Sequence, residues 1–315
     1  MLTSFVGFSA FRGTLDVKTS VMIAYSCNIL TVLLDPLLIH GLGFGVKGAA
    51  LATFSAEIVS AITYLVLMRK RDLIRWSKIL RLPSFTSLIP LLQGGMALQI
   101  RSFALNIAFL MVARVIQSMD DTGVAAAANA MAMQTFQLGG IVLGALSMVA
   151  QTVVPNAMVE RYDEEQGKMV GGLNYARATV NRLMIWGLCV GLGVGALQLL
   201  LLPTIMKSSP LQEVRDAARV PALIASWFQG INGLVFVGEG VMLGTGSFMQ
   251  LGLNTAVGTL GYLASLKVFP QRFGLAGVWM GLVAFTSIRL IGVFIHLFVN
   301  GPLTQRNVRK ASTIA

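Results

Sequence analysis

Residues 17–71 read VKTSVMIAYSCNILTVLLDPLLIHGLGFGVKGAALATFSAEIVSAITYLVLMRKR. Two apolar runs, Val17–Ile39 and Val46–Met68, flank a short break that contains Gly41, Gly43 and Gly45. Each run is long enough to cross a hydrocarbon core, which takes about 20 residues. The break has room only for a turn, so the pair reads as a helical hairpin in a bilayer. It ends on Arg69, Lys70, Arg71, Arg75, Lys78 and Arg81, with Asp72 the only acid among them. Short connectors rich in Lys and Arg stay on the cytoplasmic side, or its topological equivalent.

Outward from the hairpin, six more spans follow: Pro90–Gln117, Ala125–Val154, Val180–Pro203, Pro221–Gly244, Phe248–Lys267 and Leu275–Phe298. With these spans the connectors alternate sides, and the basic residues sort. One side holds Arg12, Lys18, the six of the connector, Arg161, Lys168, Arg177, Arg182, Arg306, Arg309 and Lys310. The other holds Lys47, Lys207, Arg215, Arg219, Lys267 and Arg272. The bias supports about eight full transmembrane helices, since a missed or invented span would scramble it.

Composition agrees. The chain of 315 residues is 55% hydrophobic and 12% charged, with mean hydropathy +0.75. A soluble domain carries roughly a quarter charged residues. The net charge of +11 sits at span ends and short loops, so it reads as topology rather than as a nucleic-acid surface. Cys27 and Cys189 fall inside apolar runs and do not suggest a disulfide framework.

A repeat sets the organisation. VGFSAFRGTLDVKT, followed by GFGVKGAALATF, matches VGEGVMLGTGSFMQ, followed by FGLAGVWMGLVAF. Val6, Gly7 and Gly13 fall on Val237, Gly238 and Gly244; Gly45, Gly48 and Ala52 fall on Gly274, Gly277 and Gly281. Small residues at such spacing line one helix face and permit close packing. An even number of spans separates the copies, so they share one orientation, a plan known among transporters. The chain then divides into 1–68, the end of an N-terminal lobe with a remnant helix and two spans; 69–89, a basic cytoplasmic linker; 90–300, a six-helix C-terminal lobe; and 301–315, a cytoplasmic tail. On this reading the front lobe lacks its first three spans and most of a fourth, as in a truncated product.

The string FRGTLDVKTS, then CNILTVLLDPLLIHGLGFGVKGAALAT, resembles the multidrug and toxic compound extrusion (MATE) family, in which G-x-FRG-x-x-D-T-K-T-P leads into N-x-x-L-D-P and G-x-x-GAA-x-AT. QGINGLVFVGEG is similar to the family's Q-P-x-N-x-x-x-F-V-x-D-G, and GLAGVWMGLVAFTSIRL to its last span. The likeness runs from about Gly7 to Leu297 and is nearest the plant and algal members related to bacterial DinF proteins. It implies an all-α integral membrane fold, a two-lobe bundle with a parallel repeat. It also implies a cation antiporter that exports organic solutes or xenobiotics by alternating access, in exchange for a proton or Na⁺. Ser20 and Gly230 stand where the family has Pro, and the acid of the family's first helix has no counterpart.

Glu239 matches the Asp of the family's D-G motif and is the candidate cation-coupling residue. A carboxylate at mid-bilayer costs about 2.5–3.5 kcal/mol, so one kept there has a use; a wetted residue near the cytoplasmic end is the bland alternative. Glu57, in the middle of its span, is divided between a cavity role and a neutral packing role. Asp35 and Pro36 form a structural motif: Pro36 removes a backbone hydrogen bond, and the carboxylate can cap the freed groups or meet a wet cleft. Gly45, Gly48, Gly274 and Gly277 are the structural glycines of the repeat. Gln99, Asn106, Gln134, Gln137, Gln229, Asn232 and Asn254 are candidate cavity lining, although each alone is more often helix glue. Arg101 joins that polar set, and Arg289 reads as an ion-pair or snorkelling residue.

His40 and His296 lie near opposite faces, so no metal site is expected, and no P-loop points to ATP. The expectation is a monomeric, multi-pass protein of the plasma membrane or an organelle such as the plastid envelope or vacuole. Its partners are the lipid bilayer and a small organic solute, with no nucleic acid. It has no cofactor beyond the coupling ion and no enzymatic activity. The competing readings are a lipid-linked oligosaccharide flippase and a truncated, non-transporting product.

Overall fold

Within hydrocarbon every backbone group has to be bonded inside its own segment, and helices achieve this. The structure is a computed structural model that describes residues 2–74, 84–163, 168–304 and 307, and it is helical almost throughout. Two compact units divide it, Met1–Ser87 and Leu88–Ala315. Arg75, Lys78 and Arg81 of the basic connector, and Arg306, Arg309 and Lys310 of the tail, lie outside the described residues.

The first unit holds α1 (Leu2–Gly13), α2 (Val17–Pro36) and α3 (Val46–Lys70). Asp16 caps α2, accepting from the Thr19 amide at 3.2 Å and the Thr19 hydroxyl at 2.8 Å, and it pairs with Arg71 at 3.0 Å. At Pro36 the helix loosens into a π turn, Leu37–Gly41, where the missing N–H of proline is tolerated. Gly45, at φ 54° and ψ −131°, turns the chain into α3. Asp35 stays beside this turn, and its Oδ1 is buried without a hydrogen-bond partner.

The second unit holds α4 (Phe85–Gln117), α5 (Val124–Met158), a two-stranded hairpin of β1 (Arg161–Asp163) and β2 (Lys168–Val170), α6 (Leu173–Met206), α7 (Gln212–Trp227) and α8 (Gln229–Gly244). A last helical run, Phe248–Ile295, breaks at Gly274, where φ is 54° and ψ is −135°; its arms are α9 (248–273) and α10 (275–295). A straight helix as long as Phe248–Asn300, 53 residues, would reach about 80 Å, far beyond a 30 Å core. The arms instead pack antiparallel. The Tyr262 hydroxyl donates to the Val278 carbonyl at 3.4 Å, and the Asn254 amide donates to the Arg289 carbonyl at 2.9 Å.

Among the described residues, six helical runs are long and apolar enough to cross a membrane, and α7 with α8, bent by 50°, forms a seventh. The break at Gly274 divides the longest run, which makes eight. The helices overrun the expected spans: α4 begins at Phe85 rather than Pro90, and α6 at Leu173 rather than Val180. Hydropathy marks where hydrocarbon ends, whereas a helix continues into the headgroup layer.

The repeat recurs as contacts inside each unit. Gly7 of α1 meets Tyr64 of α3, and Gly238 of α8 meets Val293 of α10, the corresponding pair. Gly48 has no room for a Cβ against the Leu38 carbonyl, nor has Gly277 against that of Phe269. Leu15, at φ 63°, occupies the turn position that Gly246 holds at φ 72°. A second glycine seam lies on α6, where Gly187, Gly191 and Gly195 rest against the backbone of Gly233, Gln229 and Ser226.

Two predictions follow from these turns and caps. A left-handed residue other than Gly costs about 1–2 kcal/mol, against roughly 0.5–1 for the freedom Gly loses on folding. Leu15→Gly is therefore expected to be neutral or stabilising by up to about 1 kcal/mol, and Gly246→Leu destabilising by about 1 kcal/mol. Thermal unfolding in detergent compares the pair, and equal losses would break the equivalence of the two turns.

Asp120 caps α5 through the amides of Ala125 (2.7 Å) and Gly123 (2.6 Å). The Ala125 bond first, then those from Gly123 and Thr122, hold its carboxyl below the ordinary 3.8, against the opposing effect of desolvation. The folded-state value is depressed, so the cap is fully present above 3.8 and is lost as pH falls through the lowered value. Protection of the Ala125 amide against hydrogen exchange should drop at neutral pH in Asp120→Ala, but only below pH 3.8 in the unaltered chain.

Candidate solute and coupling site

Glu239 lies on α8 between Gly238 and Gly240. The first glycine lets α8 close on Val293 of α10, and the second lets it close on the Ser147 carbonyl of α5. Gly258 on α9 leaves space for the stem of Arg289, and Gly252 rests on the Ala97 carbonyl one turn before Arg101. Small residues thus bring three charged side chains from α4, α8 and α10 together in the interior of the second unit.

The result is an Arg–Glu–Arg cluster. Arg289 donates both Nε, at 2.8 Å, and Nη2, at 2.6 Å, to Oε1 of Glu239. Arg101 donates Nη2 to Oε2 at 2.8 Å. Phe285 lies under the Arg289 guanidinium, 4.9 Å from ring centre to Cζ. Side-chain exposure falls from 26% for Arg101 to 10% for Arg289 and 5% for Glu239. The carboxylate is not a wetted group at the end of its helix. Glu239 and Arg289 offset the cost that either would carry alone.

The expected cavity lining separates into three groups. Gln229 and Asn232 are buried and bonded to protein, so they do not line an open space: Asn232 donates to Gln229 at 3.2 Å, Gln229 to Gln198 at 3.2 Å, and Gln198 to the Thr135 carbonyl at 2.7 Å. Such groups must find partners in hydrocarbon, and here they find one another. Gln99, Asn106, Gln134 and Gln137 are exposed, and Asn106 donates back to the Ser102 carbonyl of its own helix at 2.8 Å. Asn254 ties α9 to α10 and also borders a groove of about 320 Å³ with Gln250, His296 and Asn300.

In the first unit Glu57 is half-buried, accepts from the Ser4 hydroxyl at 3.1 Å, and lines a groove of about 380 Å³ with Asn28, Thr31 and Thr53. The repeat register puts Phe8 where the second unit has Glu239, Ser60 where it has Arg289, and Thr286 where the first unit has Glu57. The two copies share their packing but not their polar content. Sequence reading missed Gln198, a lone amide in an apolar run, and treated Arg101 and Arg289 apart from Glu239. No local spacing links residues so distant in the chain.

An eight-span helical bundle built on a repeated glycine-seamed hairpin, with a charged cluster inside one copy, is an integral multi-pass membrane protein. No family model matches the chain. It is 27% identical over 288 residues to Protein DETOXIFICATION 44, chloroplastic, of Arabidopsis thaliana, covering 90% of this chain and 51% of that one. It is 26% identical over 314 residues to the probable multidrug resistance protein NorM of Thermotoga maritima, covering 96% and 64%. Among solved structures, a MATE in the straight conformation aligns with TM-score 0.79 and 20% identity over 92% of this chain and 64% of that one. The Vibrio cholerae MATE transporter VcmN in its D35N form aligns with TM-score 0.78 and 15% identity over 99% and 66%. The chain spans about half the length of the first of these curated relatives. The chain has the fold of the solved MATE structures, and its sequence is similar to these relatives over most of its length.

Removing one member of a buried ion pair costs about 3–5 kcal/mol because the remaining charge is stranded. Glu239→Leu is expected to lose that much, and Glu239→Leu with Arg289→Met less than Glu239→Leu alone. A double-mutant cycle on thermal unfolding in detergent checks this; additive losses would mean the pair is not coupled.

Proposed function

We propose that the chain serves a secondary exporter that moves small organic solutes, xenobiotics among them, across its membrane by alternating access, in exchange for a proton or Na⁺. The supporting observation is Glu239, a carboxylate buried in the interior of a MATE fold and held by side chains from two other helices. A carboxylate in that setting is tied to the relative placement of α4, α8 and α10. Any cation that takes a place on it must displace a guanidinium and so changes what holds those helices.

Arg101 is the arm that yields. It gives one hydrogen bond where Arg289 gives two, and it is the more exposed of the pair. Displacing it leaves Glu239 and Arg289 as a neutral pair, so one bound cation is exchanged for one tethered cation. Glu57 and the polar groove of the first unit are the proposed second polar station, with Gln99, Asn106, Gln134, Gln137 and Asn254 as solute lining. The working unit is a monomer in the bilayer, with the coupling ion its only cofactor.

The test is solute efflux from vesicles under an imposed proton or Na⁺ gradient. Unaltered protein is expected to drive efflux, and Glu239→Gln, at equal membrane abundance, to lose at least ten-fold of the gradient-dependent rate. Full gradient-driven efflux in Glu239→Gln would remove the coupling role from this residue.

A further inference from the structure

Away from Glu239, the second unit carries a groove of about 420 Å³ between α6, α8 and the end of α10. One wall is a single stripe of α6: Arg177, Asn181, Met184 and Leu188, three or four residues apart, with Ile185 beside them. Leu234 of α8 and Phe294 of α10 face it, with Phe298 in the π turn His296–Asn300 that follows α10. Ile185 and Phe298 are 63% and 56% exposed, and a face exposed on a membrane span meets lipid.

Polarity changes once along the stripe. Arg177 stands in the first turns of α6, among the residues that sort to the basic-rich side of the membrane. Its Nη1 donates to the Leu303 carbonyl, and its Cζ lies 5.6 Å from the centre of the Phe298 ring. A guanidinium has five N–H donors, yet among the described residues Arg177 makes no other hydrogen bond and no ion pair. The sequence after Leu303 adds Arg306, Arg309 and Lys310 and no acidic side chain, so it does not supply the counter-charge. Asn181, a turn deeper, is exposed and has no hydrogen-bond partner among the described residues. An amide on a lipid-facing surface is costly unless something polar reaches it. Beyond Asn181 the lining is apolar. From Arg177 to Leu188 the helix rises about 16 Å, close to the depth of one leaflet, about 15 Å, in a 30 Å hydrocarbon core.

We propose that this groove holds an anionic phospholipid from the leaflet on the basic-rich side. Its phosphate sits on Arg177, its glycerol and ester oxygens meet Asn181, and one acyl chain runs along Met184, Ile185 and Leu188. Guanidinium–phosphate hydrogen bonds are charge-assisted, and basic pockets between spans suit acidic head groups. A water-soluble anion leaves the apolar track empty. A seated lipid ties α6 to α8 and α10, the helices that carry Glu239 and Arg289, and so stabilises the packed unit. The site rests neither on the exporter reading nor on the charge of the Glu239 cluster.

The purified full chain in neutral detergent is titrated with dioleoyl phosphatidylglycerol or dioleoyl phosphatidylcholine, which share their chains and differ in head-group charge. Melting temperature and the lipid retained, counted by native mass spectrometry, are the readouts. Phosphatidylglycerol is expected to be retained and to raise the melting temperature, and phosphatidylcholine to bind at least ten-fold more weakly. Arg177→Met should weaken phosphatidylglycerol at least ten-fold, and Arg177→Lys by less. Ile185→Trp keeps the guanidinium and its bond to Leu303 but fills the acyl track, and should weaken binding as much as Arg177→Met; it carries the comparison if Arg177→Met does not fold. Arg182→Met, which removes an exposed charge off the stripe, should leave binding unchanged. Equal losses in Arg182→Met and Arg177→Met would mark diffuse attraction to a basic protein and overturn the proposal. Equal affinity for the two lipids, or full phosphatidylglycerol binding in Ile185→Trp, overturns it as well. So does competition by glycerol 3-phosphate at equal concentration, since that marks a site for soluble anions.

Discussion

Lipid gives apolar helices no reason to leave it for one another, so association depends on how closely their backbones can approach. In this protein that approach is made by glycine. Gly7 and Gly238 admit the third helix of each repeated hairpin, Gly48 and Gly277 close its turn, and Gly187, Gly191 and Gly195 seat α6 on α7 and α8. At each of these positions a Cβ would meet backbone or branched side-chain atoms. The polar interior depends on the same contacts, because Gly238 and Gly258 are what allow Glu239 and Arg289 to meet.

Once helices are this close, buried polar groups can be satisfied without water. Gln198, Gln229 and Asn232 form one chain of amides, and Trp279 donates to Asn129 at 3.1 Å beside the Phe136–Phe228 stack. These groups are filled and hold the bundle. The charged cluster differs because it is filled unequally: Arg289 is fixed by two bonds and a ring, whereas Arg101 keeps a donor in reserve. Within one site, one guanidinium is held by two bonds and a ring, and the other by a single bond.

The repeat separates what packing requires from what chemistry requires. The glycines recur in both copies because the backbone approaches they permit are the same. Phe8, Ser60 and Glu57 have diverged from Glu239, Arg289 and Thr286, since side chains in the interior need only be satisfied, not alike. One copy offers a carboxylate in a half-open groove, the other a closed cluster with surplus positive charge.

Much of this was legible before any coordinates. Hydropathy and basic-residue bias imply eight spans because bilayer thickness and charge asymmetry act on each segment locally. The repeat was visible because close approach demands glycine at particular positions, and those positions stay in register. Glu239 stood out because an acid in an apolar run is costly. Its partners did not, because Arg101 and Arg289 lie far along the chain on either side, and no local period ties them to it. The sequence also grouped Gln229 with Gln99 and Gln134 as polar residues of apolar spans. Only the packed helices sorted the buried amide from the exposed ones, because helix rotation decides which face each side chain takes, and rotation is settled by contacts between distant segments.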